Sequence, residues 1–442
     1  MFKRLIICTF VVFKKCQNII KPLEQASTLV FEALRSVCAF SRSFVTFFSE
    51  TMTLYLTSNS RINFMQMQRE GKSCESRFRQ NFRKAFDWLK FNIFFADALV
   101  TTGHLLAIAI DPSYISKSGK HTPGVGYFWS GCASAAKHGL EILGISLIDS
   151  EDRKAVFLRA VQTIKDKIHK EDKKPECIAH LKSEETLIAC YLRALDTYKE
   201  QLLPLSQLIV ADAYFSKASF IIGLITMGFH LVSRFRKGVR LRYLYNGPKT
   251  GKRGKPKKFD GEVDVNNPDR HFEKVTLTWD DKQVLVYTAI VYAVALKREV
   301  RAVIVDCMDD KKKTQERKVF FSTDTSLTAE QIIDVYRTRF QIEFQFRDAK
   351  QHLGLFHCQA RSEEALDFHF NASFAALNVA RAFARQFDIN FSVSDIKMLL
   401  HNAMMIQRFM STFGLSPNVK IIHRDKNTIF KELLLYGIKA AG

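Results

Sequence analysis

Apolar positions along this chain change texture near residue 100, and that change divides it. Up to there they recur three and four residues apart, as on buried helix faces, with no proline after Pro22. Phe2 to Lys15 sets the apolar run Leu5 to Phe13 between basic flanks. The run is shorter than the ~20 residues a membrane span needs and no small-residue cleavage site follows, so it reads as the first helix of a soluble domain. Farther on, Arg77, Arg79, Arg83, Lys84 and Lys90 interleave with Phe78, Phe82, Phe86 and Trp88. That spacing suits a helix that packs on one side and meets phosphates on the other, and equally an amphipathic helix with a solvated basic face.

Beyond residue 100 short apolar runs predict strands. His104 to Asp111 is a buried strand that ends on an acid, with Pro112 expected to stop it. Leu140 to Ile148 and Lys154 to Val161 continue as an antiparallel meander. A helix follows from Ser183 to Leu202, with Ser183, Glu185 and Thr186 as capping residues. Leu208 to Asp212 is a second strand ending on an acid, followed by a short helix, Ser216 to Met227, and a strand, His230 to Arg236. From Lys237 to Lys258 there are nine Lys+Arg and no acid, and Gly247, Pro248, Gly251, Gly254 and Pro256 break regular structure. This stretch fits a solvated tip or a strap along a nucleic-acid backbone. Strands resume at Lys274 to Trp279, Gln283 to Val294, Val300 to Val305 and Lys318 to Ser322, so residues 237–325 form a β-rich insertion in an α/β protein.

The most informative helix starts at Thr328. Thr328 and Gln331 fit a capping box, with Leu327 and Ile332 as the hydrophobic staple. At about 100° per residue, Tyr336, Arg339, Glu343, Arg347 and Lys350 share an arc of about 80°. Val335, Ile342 and Phe346 flank that stripe on one edge, and Ile333, Phe340 and Phe344 on the other. Asp334, Gln341, Gln345 and Asp348 take the opposite face. Charges of both signs thus run through the apolar face, where they need partners, metal ions or phosphates. A plain Arg339 to Glu343 pairing at i, i+4 is the bland alternative.

Charge now narrows the partners. The 442 residues carry a net +21, and the first hundred hold 15 Lys+Arg against 7 Asp+Glu, which favours a polyanion. At 47% hydrophobic residues the chain is not a disordered one. Nine scattered cysteines with no C-x-x-C pair argue against a disulfide framework or zinc knuckle and for reduced thiols in the cytoplasm. No segment has the length and apolarity of a membrane span.

Asp111 and Asp212 end buried strands and Glu343 lies on the inward stripe, so three carboxylates from separate elements can meet at a sheet edge. Such oxygen ligands suit Mg²⁺ or Mn²⁺, and two ions ~3.5–4 Å apart serve phosphoryl transfer. Asp306, at the end of Val300 to Val305, competes as a strand-terminal acid, but Asp309, Asp310 and Lys311 to Lys313 after it read as an exposed turn. The twelve histidines show no metal-ligand spacing.

Tyr336-x2-Arg339-x3-Glu343-x6-Lys350 resembles the Tyr-Arg-Glu-Lys signature of bacterial insertion-sequence transposases of the DDE class, in the group to which the IS-four element belongs. Asp111-Pro-Ser-Tyr, Gly126-Tyr-Phe-Trp-Ser and Asp212-Ala-Tyr-Phe are similar to the same group. The likeness spans roughly 100 to 385. It implies a ribonuclease H-like core interrupted by the β-rich insertion, with Asp111, Asp212 and Glu343 as catalytic metal ligands for two ions. It implies that Tyr336, Arg339 and Lys350 bind DNA phosphates at the element's terminal inverted repeats, and that the protein acts as a homodimer in a synaptic complex with target DNA in the bacterial cytoplasm, at the nucleoid. Related members hold a flipped base with an aromatic of the insertion; Trp279 lies there, but cross-strand packing suits it better, and Arg347 has no assigned role. The division that follows is a helical DNA-binding region (1–100), a catalytic core in two parts (101–236 and 326–385), the insertion (237–325), and a helical C-terminal region (386–442) that serves as dimer contact or lid. A metal-dependent nuclease without strand transfer and an inactive DNA-binding relative are the alternatives.

Overall fold

The computed structural model describes residues 21–119, 121–165, 185–248, 256–269, 271–279, 282–309, 314–387, 390–414 and 432–438. The helix expected over Phe2 to Lys15, the cap residue Ser183 and the turn at Asp310 to Lys313 lie outside them. Six helices open the described chain: Lys21–Val37 (α1), Arg42–Thr57 (α2), Phe64–Glu70 (α3), Glu75–Asn81 (α4), Trp88–Ile93 (α5) and Ala96–Leu99 (α6). Ser41, Asn63 and Asp87 cap α2, α3 and α5 by accepting from the backbone N–H groups of Phe44, Gln66 and Lys90.

The basic and aromatic residues at 77–90 therefore do not share one helix. The chain leaves α4 at Asn81 and re-enters a helix only after the cap Asp87. Phe78, Phe82 and Trp88 are buried, whereas Arg79, Arg83, Lys84 and Lys90 face solvent. Phe82 and Trp88 pack on Phe368, with ring centroids 4.4 and 4.9 Å away. Phe368 belongs to the long helix Glu363–Gln386, so the N-terminal helices share one continuous core with the rest of the chain.

The described strands are β1 Leu106–Ser116, β2 Gly126–Ser130, β3 Ala135–Asp149, β4 Lys154–Gln162, β5 Leu208–Val210, β6 His230–Arg234, β7 Leu241–Leu244, β8 Phe259–Glu262, β9 Glu273–Trp279, β10 Lys282–Ala293, β11 Arg298–Asp309 and β12 Thr314–Ser322. They form one mixed sheet, ordered β2-β3-β1-β5-β6-β12-β11-β10-β7-β8, with β4 on β3 and β9 on β10. β1, β5 and β6 run parallel, and the remaining pairs are antiparallel. Helix α7 (Leu187–Leu202) leads from β4 into β5 and α8 (Ala218–Thr226) links the parallel strands β5 and β6; Thr186 caps α7 by accepting from Ala189 N–H. The strands of 237–325 extend this same sheet, because β12 pairs with β6.

Several strand boundaries differ from the pattern-based expectation, and the following have a physical reason or a bearing on the site. β1 passes through Pro112 to Ser116, since beyond Ala109 its ladder with β5 has ended and a residue without an N–H is tolerated at an open edge. β7 forms inside the basic stretch after Lys237, where Tyr243 pairs with Val291 of β10. β11 runs on past Asp306 to Asp309, paired with β12.

The helix predicted from Thr328 is two helices, Ala329–Thr338 (α9) and Gln341–His352 (α10), then Glu363–Gln386 (α11) and Val393–Thr412 (α12). The Thr328–Gln331 capping box is present. α11 lies along β4 and completes its open edge. Asn371 accepts from Ala160 N–H (2.8 Å) and donates to Ala160 O (3.0 Å); Asn378 accepts from Phe157 N–H (3.2 Å) and donates to Phe157 O (2.7 Å). Two helical turns advance about 10.5 Å and three strand residues about 10 Å, so the two amides match the two backbone sites. Asn92 of α5 adds a bond from its amide to Leu158 O. Asn378→Ala leaves Phe157's backbone groups unpaired in the core, and a loss of about 2–4 kcal/mol in a chemical-denaturation experiment is expected; a change below about 0.5 kcal/mol would show that water replaces the amide.

Candidate active site

Asp111 and Asp212 are brought level by strand register. Ala109 of β1 pairs with Val210 of β5 in a parallel ladder, and each acid lies two residues beyond its member of that pair. Neighbouring strands are about 4.8 Å apart, so the two carboxylates start from adjacent tracks. Asp212 also caps the 3-10 turn Ala213–Phe215 by accepting from Tyr214 N–H at 2.8 Å, while its carbonyl accepts from Ser233 Oγ at 2.9 Å.

The third acid arrives on α10. Gly144 of β3 lets that helix approach, because a Cβ there would meet Phe346 Cζ at 2.6 Å. Arg339 sits at the joint between α9 and α10 with only 6% of its side chain exposed; Nη1 is 3.7 Å from Asp111 Oδ1, and Nη2 donates to Glu343 Oε1 at 2.9 Å. Burial raises the Asp111 carboxyl, the charges of Glu343 and Asp212 add to this, and Arg339 and Lys350 oppose it; the result is pushed up to about 7. The three predicted acids thus act on one another through a poorly hydrated space. Burial also works against the Arg339 guanidinium, but the Asp111 and Glu343 charges outweigh it and strengthen its hold on its proton.

Tyr336 is buried against Phe320, 4.9 Å between ring centroids, beside Arg339; burial raises its phenol, and the Asp212 charge adds to the rise. Lys350 donates to Ser113 Oγ at 2.8 Å, two residues beyond Asp111, and burial lowers its ammonium. Four of the five stripe residues, Tyr336, Arg339, Glu343 and Lys350, therefore lie on the site side, but they come from two helices and the joint between them. The break at Arg339–Phe340 also alters the flanks: Phe340 and Phe344 are exposed, and Gln345, expected on the outer face, is buried and paired with Ser146 Oγ at 2.6 Å. Arg347 points away, beside Asp348 and over the Phe344 ring.

Other candidates stand apart. Asp306 is held by Arg317 across the β11–β12 ladder. His104, Asp149 and Asp152 place ligand atoms within 4.8 Å of one another, but the buried Asp149 carboxylate already accepts from the backbone of Thr101, Glu151 and Asp152 and from His104, as a turn-holding residue does. Trp279 ends β9 opposite Lys282, and its side chain lies outside the described set. Pattern alone missed Ser113, although it lies in the Asp111-Pro-Ser-Tyr stretch, and Ser146, whose run gives no sign of a polar role. No described helix is long and apolar enough to cross a membrane.

The donor set is three carboxylates, one of which, Asp111, is kept from ionising chiefly by burial and then by Glu343 and Asp212 against the pull of Arg339 and Lys350, and such a set fits a hard divalent cation. Without one, the ionised form of Asp111 is disfavoured in the folded state. Its folded value of about 7, against an ordinary 3.8, means that the stability is whole below about pH 3.8 and declines as pH rises to 7. Asp111→Asn escapes that decline. In chelator, the variant is expected to exceed the parent in stability at pH 8 by about 2–4 kcal/mol and by clearly less at pH 5; a difference that does not change with pH would refute the shift.

Residues 188–379 match a family model described as a transposase DDE domain. The matched span holds Asp212, Tyr336, Arg339, Glu343 and Lys350 and begins after Asp111. No match is found among curated proteins.

Proposed function

We propose that the protein is an insertion-sequence transposase, of the group with the Tyr-Arg-Glu-Lys signature, that cuts DNA at the ends of its element and joins those ends to target DNA. The observation that carries this is the approach of Asp111 and Glu343 to buried Arg339, with the Asp212 charge acting on Asp111, in a chain whose residues 188–379 match the transposase DDE model. Strand order supports a ribonuclease H-like core: β4, β3 and β1 run antiparallel, β5 and β6 continue parallel to β1, and the 237–325 strands enter before the helix that bears the glutamate.

Asp111, Asp212 and Glu343 would hold one or two Mg²⁺ or Mn²⁺ ions, which when bound polarise a phosphate and favour the attacking and leaving oxygens. The chain's own residues do the rest. Arg339 neutralises two of the carboxylates and keeps them near one another. Lys350, oriented by Ser113, and Tyr336 offer donors to DNA phosphates beside the acids. Hydrolysis of one phosphodiester at the element's end leaves a 3′ hydroxyl. That oxygen then bonds to a target phosphorus as the target's own 3′ oxygen leaves, so the number of phosphodiesters is unchanged. Two ends must be joined together, so the working form is a homodimer in a synaptic complex.

The decisive experiment incubates the protein with Mg²⁺, DNA carrying the element's terminal inverted repeats, and a target plasmid. Cut ends and joined products are expected, with Glu343→Gln lowering both by at least about a hundredfold and chelator abolishing them. Cutting without joining would indicate a nuclease of the same core. Full activity in Glu343→Gln would refute the site.

A further inference from the structure

A second feature lies apart from the acids and is linked to them through Lys350. A cleft of about 1350 Å³ opens between the N-terminal helices and the core, walled by the loop before α3, the turn after α4, the segment following β1 and the loop from α10 to α11. Arg61, Arg79, Arg83, Lys117 and Arg361 line it, Arg79 paired with Glu75, and no Asp or Glu lines it among the described residues. Lys117 is committed to the wall, donating to Cys358 O at 2.7 Å and Ala360 O at 2.9 Å. Arg61, Arg83 and Arg361 are exposed, and among the described residues none has a carboxylate within ion-pair distance. Unpaired cations facing a common space repel one another, a cost that an anionic ligand removes.

The aromatic lining narrows the ligand. Phe356 projects into the cleft with 43% of its surface exposed, and Lys350 lies 5.1 Å from its ring centroid. Lys350 also bonds Ser113, so one side chain links the Phe356 wall of the cleft to the strand that carries Asp111. Guanidinium groups beside an accessible ring suit a strand whose bases have free faces; in a duplex those faces are stacked and hidden. We propose that this cleft holds an unpaired DNA strand by its phosphates, with Phe356 as a stacking face. This rests on the DNA-processing function above, but its test is binding without catalysis.

The full chain in chelator is titrated with a fluorescent oligothymidylate and, separately, with a duplex of equal length, over a range of salt. Arg61→Glu and Arg361→Glu are each expected to weaken single-strand binding about tenfold or more and duplex binding about threefold or less; Lys199→Glu, on α7 and outside the cleft, should change neither appreciably. Arg61→Ala should lower the single-strand salt slope by about 0.7. Phe356→Leu should weaken single-strand binding about tenfold while leaving the salt slope unchanged, an outcome that general loss of folding would not produce. Equal losses on single strand and duplex would make the cleft general basic surface, and unaltered single-strand binding would remove it as a site. Failure of the function itself shows elsewhere, as absence of metal-dependent cutting.

Discussion

A guanidinium held almost out of water between two carboxylates is the contact on which the functional end of this molecule depends. Arg339 touches Asp111 of the sheet and Glu343 of the following helix, and only 6% of its side chain is exposed. Removing such a cation leaves its partners buried and unpaired, typically at 3–5 kcal/mol. Even with it in place, Asp111 resists ionisation. Burial is the first cause of that resistance, so a divalent cation bound there would favour the carboxylate form that the site's own residues leave unfavoured.

That concentration of charge is possible because the scaffold around it is tightly specified. α11 supplies Asn371 and Asn378 at a spacing that satisfies the outer edge of β4, and β4 in turn pairs with β3. Gly144 of β3 admits the Phe346 ring, placing α10 against the sheet, and Phe346 and Phe157 both contact Phe374 of α11. Strand edge, helix and acid-bearing helix therefore form one packed unit, which explains why the N-terminal helices join it through Phe368 instead of forming a separate module.

The basic excess is arranged to complement this. Cations of the N-terminal helices stay on the surface while their aromatic neighbours are buried, and Arg61 and Arg83 share the acid-free cleft with Arg361 from the far end of the chain. Repulsive positive surface beside a carboxylate site draws a polyanion in without filling the site itself.

The sequence by itself determined the change of texture near residue 100, the strands before Asp111 and Asp212, the β-rich composition of 237–325 and the stripe Tyr336, Arg339, Glu343 and Lys350, because apolar periodicity and short-range capping are local properties. Only the tertiary structure decided the rest. Whether Pro112 ends a strand depends on which neighbour lies beside it, and β1 has an open edge there. The stripe runs over two helices, and packing against Ser146 buries Gln345 while Phe344 is left exposed. The acids meet because the β1–β5 register and the Gly144–Phe346 contact bring together residues separated by a hundred or more positions in the chain. Long-range register and close packing have no local signature, and both the carboxylate site and the basic cleft depend on them.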